Sequence, residues 1–396
     1  LADTAGVEVL GDLRQRLDHP HPKYYLGEGK AEELKHLVAE TGATLIIFDE
    51  ELSPAQGKNL EEFVGTRVMD RSELILDIFA TRARTAEAKM QVELAQLQYL
   101  LPRLTRMWAH LSRTRGGVGV GMRGPGETQL ETDRRLVNLR IARLKEELEQ
   151  VAQRRVTQRK GRSGILQAAL VGYTNAGKSS ILRALSADEG VFVEDRLFAT
   201  LDATTRKIEL GEGYEALVTD TVGFIRKLPH RLVASFRATL EEAGEADLLL
   251  HVIDLSHPGW EEQKAVVDEV LAGLKLQDYP QVLVFNKMDR LPLEEQDAWR
   301  QRAEALYERP SIFVSAMQPG GVEPIRALLL DHIRSMRNDV WITLPVTQGA
   351  LVAEIYREGE VIEREDLGTT VRLHARVPAA TLGRLKARGA AVHGSR

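Results

Sequence analysis

The sequence has no cysteine, so disulfides and thiolate metal sites are impossible, and the composition suits a reducing compartment such as the cytoplasm. Aromatic residues make up only 5% of the 396 positions. Long apolar runs are also missing: stretches such as Leu248 to Val252 fall far short of the roughly 20 residues of a membrane span. No secretory apolar segment is visible. Charge of one sign is balanced almost completely, and the formal net charge of -5 makes no global case for a polyanionic partner. What is present is an apolar fraction of 43%, enough for packed cores, on a length that points to roughly two to four domains. The chain opens on leucine, so residues upstream of it are expected.

Residues 1–76 read as an N-terminal α/β domain. Ala43 to Phe48 is an apolar run ending at Asp49-Glu50, as a parallel strand ending at a loop would. Ser53 and Pro54 offer an N-cap and a first-turn proline for a helix through Phe63. Val68 begins a second strand, and Ser72-Glu73-Leu74-Ile75 begins another helix. Tyr24 to Lys30 is a glycine-rich turn before a helix from Ala31; a phosphate could sit there, but ordinary turn geometry is the simpler account.

From Ile75 to Trp108 the pattern turns helical, with Met90, Leu94, Leu97, Leu101 and Leu104 spaced 4, 3, 4, 3 and Pro102 placed where it would kink the helix. A second stripe runs Leu130, Val137, Ile141, Leu144, Leu148, Val151. Together they predict a long antiparallel helical hairpin of coiled-coil type over 77–160. Its connection, Arg113 to Glu127, holds six glycines and three arginines. No hairpin needs so long a tip, and ordering it costs backbone entropy. The wider stretch from Arg103 to Arg162 carries 15 Lys/Arg against 6 Asp/Glu. A binding loop on a rigid arm fits, with guanidinium groups suited to RNA phosphates and splayed bases. A solvated turn is the plainer alternative.

Residues 161–337 read as a P-loop domain of the Ras-like type. After the apolar strand Ala168 to Val171 comes Gly172-Tyr173-Thr174-Asn175-Ala176-Gly177-Lys178-Ser179, of the form GxxxxGKS. Its backbone amides and the following helix face phosphates; Lys178 belongs between the β and γ phosphates, and the Ser179 hydroxyl on Mg²⁺. Asp220-Thr221-Val222-Gly223 ends another apolar strand: Asp220 can hold a magnesium-bound water, and Gly223 can offer its amide to the γ phosphate. The loop between, Phe198-Ala199-Thr200-Leu201-Asp202 and on to Arg206, supplies Thr200, Thr204 and Thr205, any of which could close over the metal.

Base recognition comes from Asn286-Lys287-Met288-Asp289 and Val314-Ser315-Ala316. Asp289 can accept from guanine N1–H and the N2 amino group, which adenine cannot match; Asn286 can bond the other base edge, Lys287 cover the ring and the Ala316 amide reach O6. Phe224 stands where many switch GTPases have a glutamine, and it cannot align a water, so unassisted hydrolysis should be slow. Asn175 could hold K⁺ near the phosphates, or equally stabilise its own loop. Residues 338–396 read as a small α+β domain of β-α-β-β-α order, ferredoxin-like but lacking the final strand.

The assembly resembles the HflX family of translational GTPases. The resemblance rests on YYLGEGK at Tyr24 to Lys30, VMDRSELILDIF at Val68 to Phe79, RGPGETQLETDRR at Arg123 to Arg135, and the segments GYTNAGKS, LFATLD and DTVGFI. It implies GTP hydrolysis with Mg²⁺, with Lys178, Thr200 and Gly223 as the catalytic set and Ser179, Thr200 and Asp220 around the metal. It also implies binding to the large (50S) ribosomal subunit, with the tip reaching toward the peptidyl-transferase region; Arg113, Arg115 and Arg123 are the local residues expected to touch ribosomal RNA, and a monomer is expected. Splitting or rescue of stalled ribosomes under stress is the implied role, and ATP hydrolysis has been associated with some members. Two other readings stay open on the residues alone: a ribosome-assembly or RNA-modification GTPase, and a switch whose coiled coil holds a protein.

Overall fold

The computed structural model describes residues 1–104, 125–159, 165–186, 197–198, 200–227 and 243–394. The expected RNA contacts Arg113, Arg115 and Arg123, together with Ala199, lie outside them.

Near the N-terminus, α1 (Glu28–Thr41), β1 (Leu45–Phe48), α2 (Pro54–Val64) and β2 (Arg67–Asp70) form a small layer with the strands parallel. Ser53 and Gln56 cap α2 reciprocally, each side chain taking the other's amide, with Pro54 in the first turn. Asp70 then caps α3 (Arg71–Arg82) by accepting the Glu73 amide at 2.9 Å.

The single helix expected from Ile75 to Trp108 is broken. Ala83 is extended at φ -63 and ψ 115, and Thr85 starts a new helix, α4 (Ala86–Leu100), by accepting the Ala88 amide at 3.1 Å. α4 stops at Leu100, and Pro102 sits in the first turn of a 3-10 segment, Leu101–Arg103, where the missing proline N–H ends the α-helical bonding. The stripe is also wider than a seven-residue seam. Leu94 is buried, but so are Ala88, Val92, Ala95 and Tyr99, because α4 packs on α3 and on loops of the next domain besides α5 (Pro125–Arg159). The two helices run in opposite directions: Arg140 holds Glu93 through two bonds of 2.7 Å, while Gln98 and Leu101 share a cleft with Arg134 and Asn138. At 35 residues, α5 extends for about 50 Å.

The third unit is a six-stranded sheet. Its elements are β3 (Leu166–Gly172), α6 (Lys178–Ser186), β4 (Thr204–Gly211), β5 (Tyr214–Asp220), β6 (Leu248–Asp254), α7 (Trp260–Gly273), β7 (Gln281–Asn286), α8 (Leu293–Leu306), β8 (Ser311–Phe313) and α9 (Glu323–Met336). The order is β4-β5-β3-β6-β7-β8, parallel except for β4. Ala168 and Leu170 pack against Ile181 and Leu185 of α6, whereas Ala169 and Val171 pack against Val267 and Leu271 of α7. Burial on both faces explains why β3 reads as an unbroken apolar run. Parallel strands end on one edge, so the loops after β3, β5, β7 and β8 converge there.

The C-terminal unit is β9 (Asn338–Pro345), α10 (Gly349–Glu358), β10 (Glu360–Asp366), β11 (Thr370–Val377), α11 (Ala379–Ala387) and β12 (Ala391–Gly394). The final strand expected to be missing is therefore present: β12 pairs with β9, giving an antiparallel sheet of order β10-β11-β9-β12. Four residues with two small side chains carry too little periodicity to be read as a strand, and pairing to β9 supplies what the pattern lacks.

Candidate nucleotide site

β3 delivers the phosphate loop and α6 begins at Lys178. Two glycines are steric requirements here. At Gly172 (φ 155) a Cβ would stand 2.3 Å from the Val252 carbonyl oxygen, and at Gly177 (φ 98) it would stand 2.2 Å from Asn286 Nδ2. The loop is closed from the other side by the segment after β5. Thr174 N–H donates to the Phe224 carbonyl at 2.7 Å, and Phe224 N–H donates to the Gly172 carbonyl at 3.1 Å. That pairing turns the Phe224 ring into the core at 1% exposure, so it does not face the phosphates. Thr221 reinforces the junction by donating to the Leu170 carbonyl at 2.7 Å.

Ser179, Thr200 and Asp220 come from three separate segments and meet. The Ser179 hydroxyl is 2.7 Å from the Thr200 hydroxyl and donates to Asp220 Oδ2 at 2.6 Å. Asp220 Oδ1 is buried with no hydrogen-bond partner. An all-oxygen set with one orphaned anionic oxygen fits a hard divalent cation or its water. Among the described residues no group of three or more His, Cys, Asp or Glu side chains could hold a metal ion. Lys178, 6% exposed, donates to the Gly172 and Tyr173 carbonyls at 3.2 and 3.0 Å. Burial pushes its pKa down to about 8 against the pull of the Asp220 carboxylate, and burial raises that of Asp220 against Lys178, Ser179 and Thr200. Phosphate oxygens beside Lys178 and a cation beside Asp220 would relieve both.

On the base side, Asn286 is 1% exposed and its amide is used at both ends: Nδ2 donates to the Ala176 carbonyl at 2.9 Å, and Oδ1 accepts the Ala316 amide at 3.2 Å. It therefore brackets the phosphate loop to the loop after β8. Lys287 (φ 63) donates to the Asn175 carbonyl at 2.9 Å and to Asp254 Oδ2 at 2.7 Å. Met288 N–H reaches the Val314 carbonyl at 3.3 Å, and Asp289 N–H reaches the Ser315 hydroxyl at 3.1 Å, which leaves Asp289 exposed at the rim. Asp254 was not singled out from the sequence, although it ends the run from Leu248 on the edge where the other loops gather.

Not every residue grouped with the nucleotide contacts points toward the pocket. The side chains of Phe198, Leu201 and Val222, with Ile225, are buried against Ile75, Phe79, Ala88 and Val92 of α3 and α4. Phe198 and Phe79 meet edge-on at 4.7 Å. Thr174 Oγ1 holds the Phe198 amide at 2.8 Å, Tyr173 OH accepts the Arg226 amide at 3.0 Å, and the Asp202 carboxylate is bonded to the start of α4. Arg71 donates to the Arg226 carbonyl at 2.9 Å and pairs with Asp49, and Lys227 pairs with Glu50. The loops flanking Thr200 and Gly223 thus share one core with α3 and α4, which spacing alone does not reveal.

Three family models match the chain: a GTP-binding GTPase N-terminal region over residues 1–80, a GTP-binding GTPase middle region over 82–162 and a 50S ribosome-binding GTPase over 167–287. The chain is 45% identical over 353 residues to the GTPase HflX of Flavobacterium psychrophilum, covering 85% of this chain and 84% of that protein. It is 44% identical to the GTPase HflX of Magnetococcus marinus (98% and 88% covered) and 43% identical to that of Escherichia coli (97% and 90% covered).

Proposed function

The chain belongs to the HflX family of GTPases and is therefore a GTP hydrolase; from that premise we propose that its turnover is governed by the large ribosomal subunit, in splitting or rescue of stalled ribosomes under stress. One observation carries this reading. Ser179, Thr200 and Asp220 assemble beside Lys178, while Phe224 is turned into the core, so the position that often orients the attacking water contributes no group. In this reading a partner, rather than another residue or a bound cation, supplies what Phe224 does not. The family model's ribosomal description and the basic arm both favour the 50S particle as that partner.

In the proposed mechanism, the amides of Asn175 to Lys178 face the phosphates and Lys178 exchanges the Gly172 and Tyr173 carbonyls for β and γ oxygens. Water attacks the γ phosphorus to give GDP and phosphate, and magnesium, when bound, would supply positive charge to offset the charge that develops there. Ser179, Thr200 and Asp220 would hold it. The Gly223 amide meets the γ phosphate, Asp289 accepts from the guanine edge, the Lys287 stem covers the ring and the Ala316 amide serves O6. Asn175, exposed at φ 62, is the candidate K⁺ ligand.

The proposed organisation is four units, 1–76, 77–160, 161–337 and 338–396, with the second a helical hairpin and the last ferredoxin-like. The protein would work in the cytoplasm as a monomer, with Arg113, Arg115 and Arg123 on ribosomal RNA. No helix among the described residues is long and apolar enough to cross a membrane. GTP turnover with and without purified large subunits is the test, and absence of stimulation would refute ribosomal control. Replacing Gly124 and Gly126 together by alanine should spare intrinsic turnover and impair the stimulation.

A further inference from the structure

Asp202 lies two residues beyond Thr200, yet its carboxylate faces the helical region. Oδ2 accepts the amides of Arg84 at 2.9 Å and Thr85 at 3.3 Å, and Oδ1 accepts the Thr85 hydroxyl. The same hydroxyl accepts the Ala88 amide at 3.1 Å and so caps α4. A negative group is thus seated just ahead of a 15-residue helix, on the amides of Arg84 and the N-cap Thr85, at the end where the backbone dipole favours it. On the other side of Thr200, Phe198 is fixed edge-on against Phe79, both rings 1% exposed. Thr200 itself stands 2.7 Å from the Ser179 hydroxyl. The metal-side loop is therefore tied to the arm before and after its threonine. A shift of the backbone that carries Thr200 away from Ser179 pulls on Phe79, Thr85 or both.

We infer that Asp202 is a positioning residue that latches the metal-side loop to α4, so that closure of Thr200 over the cation orders the first turn of α4 and its opening releases it. The inference rests on the reading of Thr200 given above. By linkage, whatever holds the arm in its latched position also holds Thr200 closed. In this way contact at a distant arm reaches the γ phosphate through one carboxylate and one aromatic pair. The competing account is that Thr85 only caps α4 and Asp202 only solvates it.

Two substitutions at Thr85 separate these accounts. Asparagine and aspartate both cap helices well, but only the asparagine amide can donate to Asp202, and the aspartate repels it. Hydrogen exchange over residues 84–92 is read in the full chain with GDP and with Mg²⁺ plus a non-hydrolysable GTP analogue. In the unaltered protein and in Thr85→Asn, exchange should be about tenfold slower with the analogue, within the usual range of coupling between sites. In Thr85→Asp that difference should vanish. Equal exchange in both nucleotides for the unaltered protein, or a difference that survives in Thr85→Asp, overturns the latch. Thr200→Ala tests the underlying reading separately: if analogue binding keeps its full magnesium dependence there, the role given to Thr200 is wrong, whatever α4 does.

Discussion

Replacing Gly177 by alanine perturbs the pocket at the point where its two halves touch. The new Cβ would stand 2.2 Å from Asn286 Nδ2, at a backbone φ of 98 that side-chain-bearing residues rarely adopt. The backbone strain is about 1–3 kcal/mol. Asn286 has no room to yield without giving up its bonds to the Ala176 carbonyl (2.9 Å) and from the Ala316 amide (3.2 Å), and it is 1% exposed. Each buried group left unpaired costs about 1–3 kcal/mol. The empty protein can avoid part of this by letting the loop relax, but a bound nucleotide demands the original loop, so the penalty falls mainly on binding. Even about 3 kcal/mol corresponds to roughly a hundredfold weaker affinity. Calorimetric titration with Mg²⁺ and GDP measures it. Gly213→Ala is the control: its φ of 77 imposes strain, but no atom lies within 4 Å. That variant should lose about 1 kcal/mol of stability and bind GDP normally. If Gly177→Ala binds GDP within about threefold of the unaltered protein, the bracket formed by Asn286 does not hold the pocket together.

Burial pushes the Lys178 ammonium down to about 8, below its ordinary 10.5. Between those values the unfolded chain binds more protons, so this group makes the empty protein more stable as pH rises through that window. Nucleotide needs the charged form, so GDP affinity should fall about fourfold from pH 7 to 8.5, with proton uptake visible as buffer-dependent binding heat; a flat profile contradicts it. Asp220→Asn should abolish the magnesium-dependent tightening of GTP binding. Leu144, completely buried on α5, should cost about 2–4 kcal/mol as Leu144→Ala, and an unchanged thermal midpoint would mean that α5 is not packed there.

The nucleotide segments were readable because their chemistry is local. Glycine at 172 and 177, lysine at 178 and the strand before them are demanded by a backbone wrapping a phosphate, and all lie within a few residues of one another. The apolar run Ala168 to Val171 likewise announced β3, and Ser53-Pro54 announced α2. Among the threonines, however, composition left Thr200, Thr204 and Thr205 open. Packing separates them: Thr204 and Thr205 begin β4, with Thr205 bonded to Thr219 at 2.8 Å, and Thr200 alone of the three is bonded to Ser179.

What the sequence determined by itself was the chemistry of the pocket and the order of the elements that carry it, since each motif is specified by neighbours along the chain. Tertiary structure decided where helices break, whether Ala391–Gly394 becomes a strand, and which way Phe198 and Asp202 face. Those outcomes depend on partners far away in sequence, such as Thr85 for Asp202 and Trp341 for His393. Spacing within a segment records which face it can bury; only the assembled fold supplies the surface that buries it.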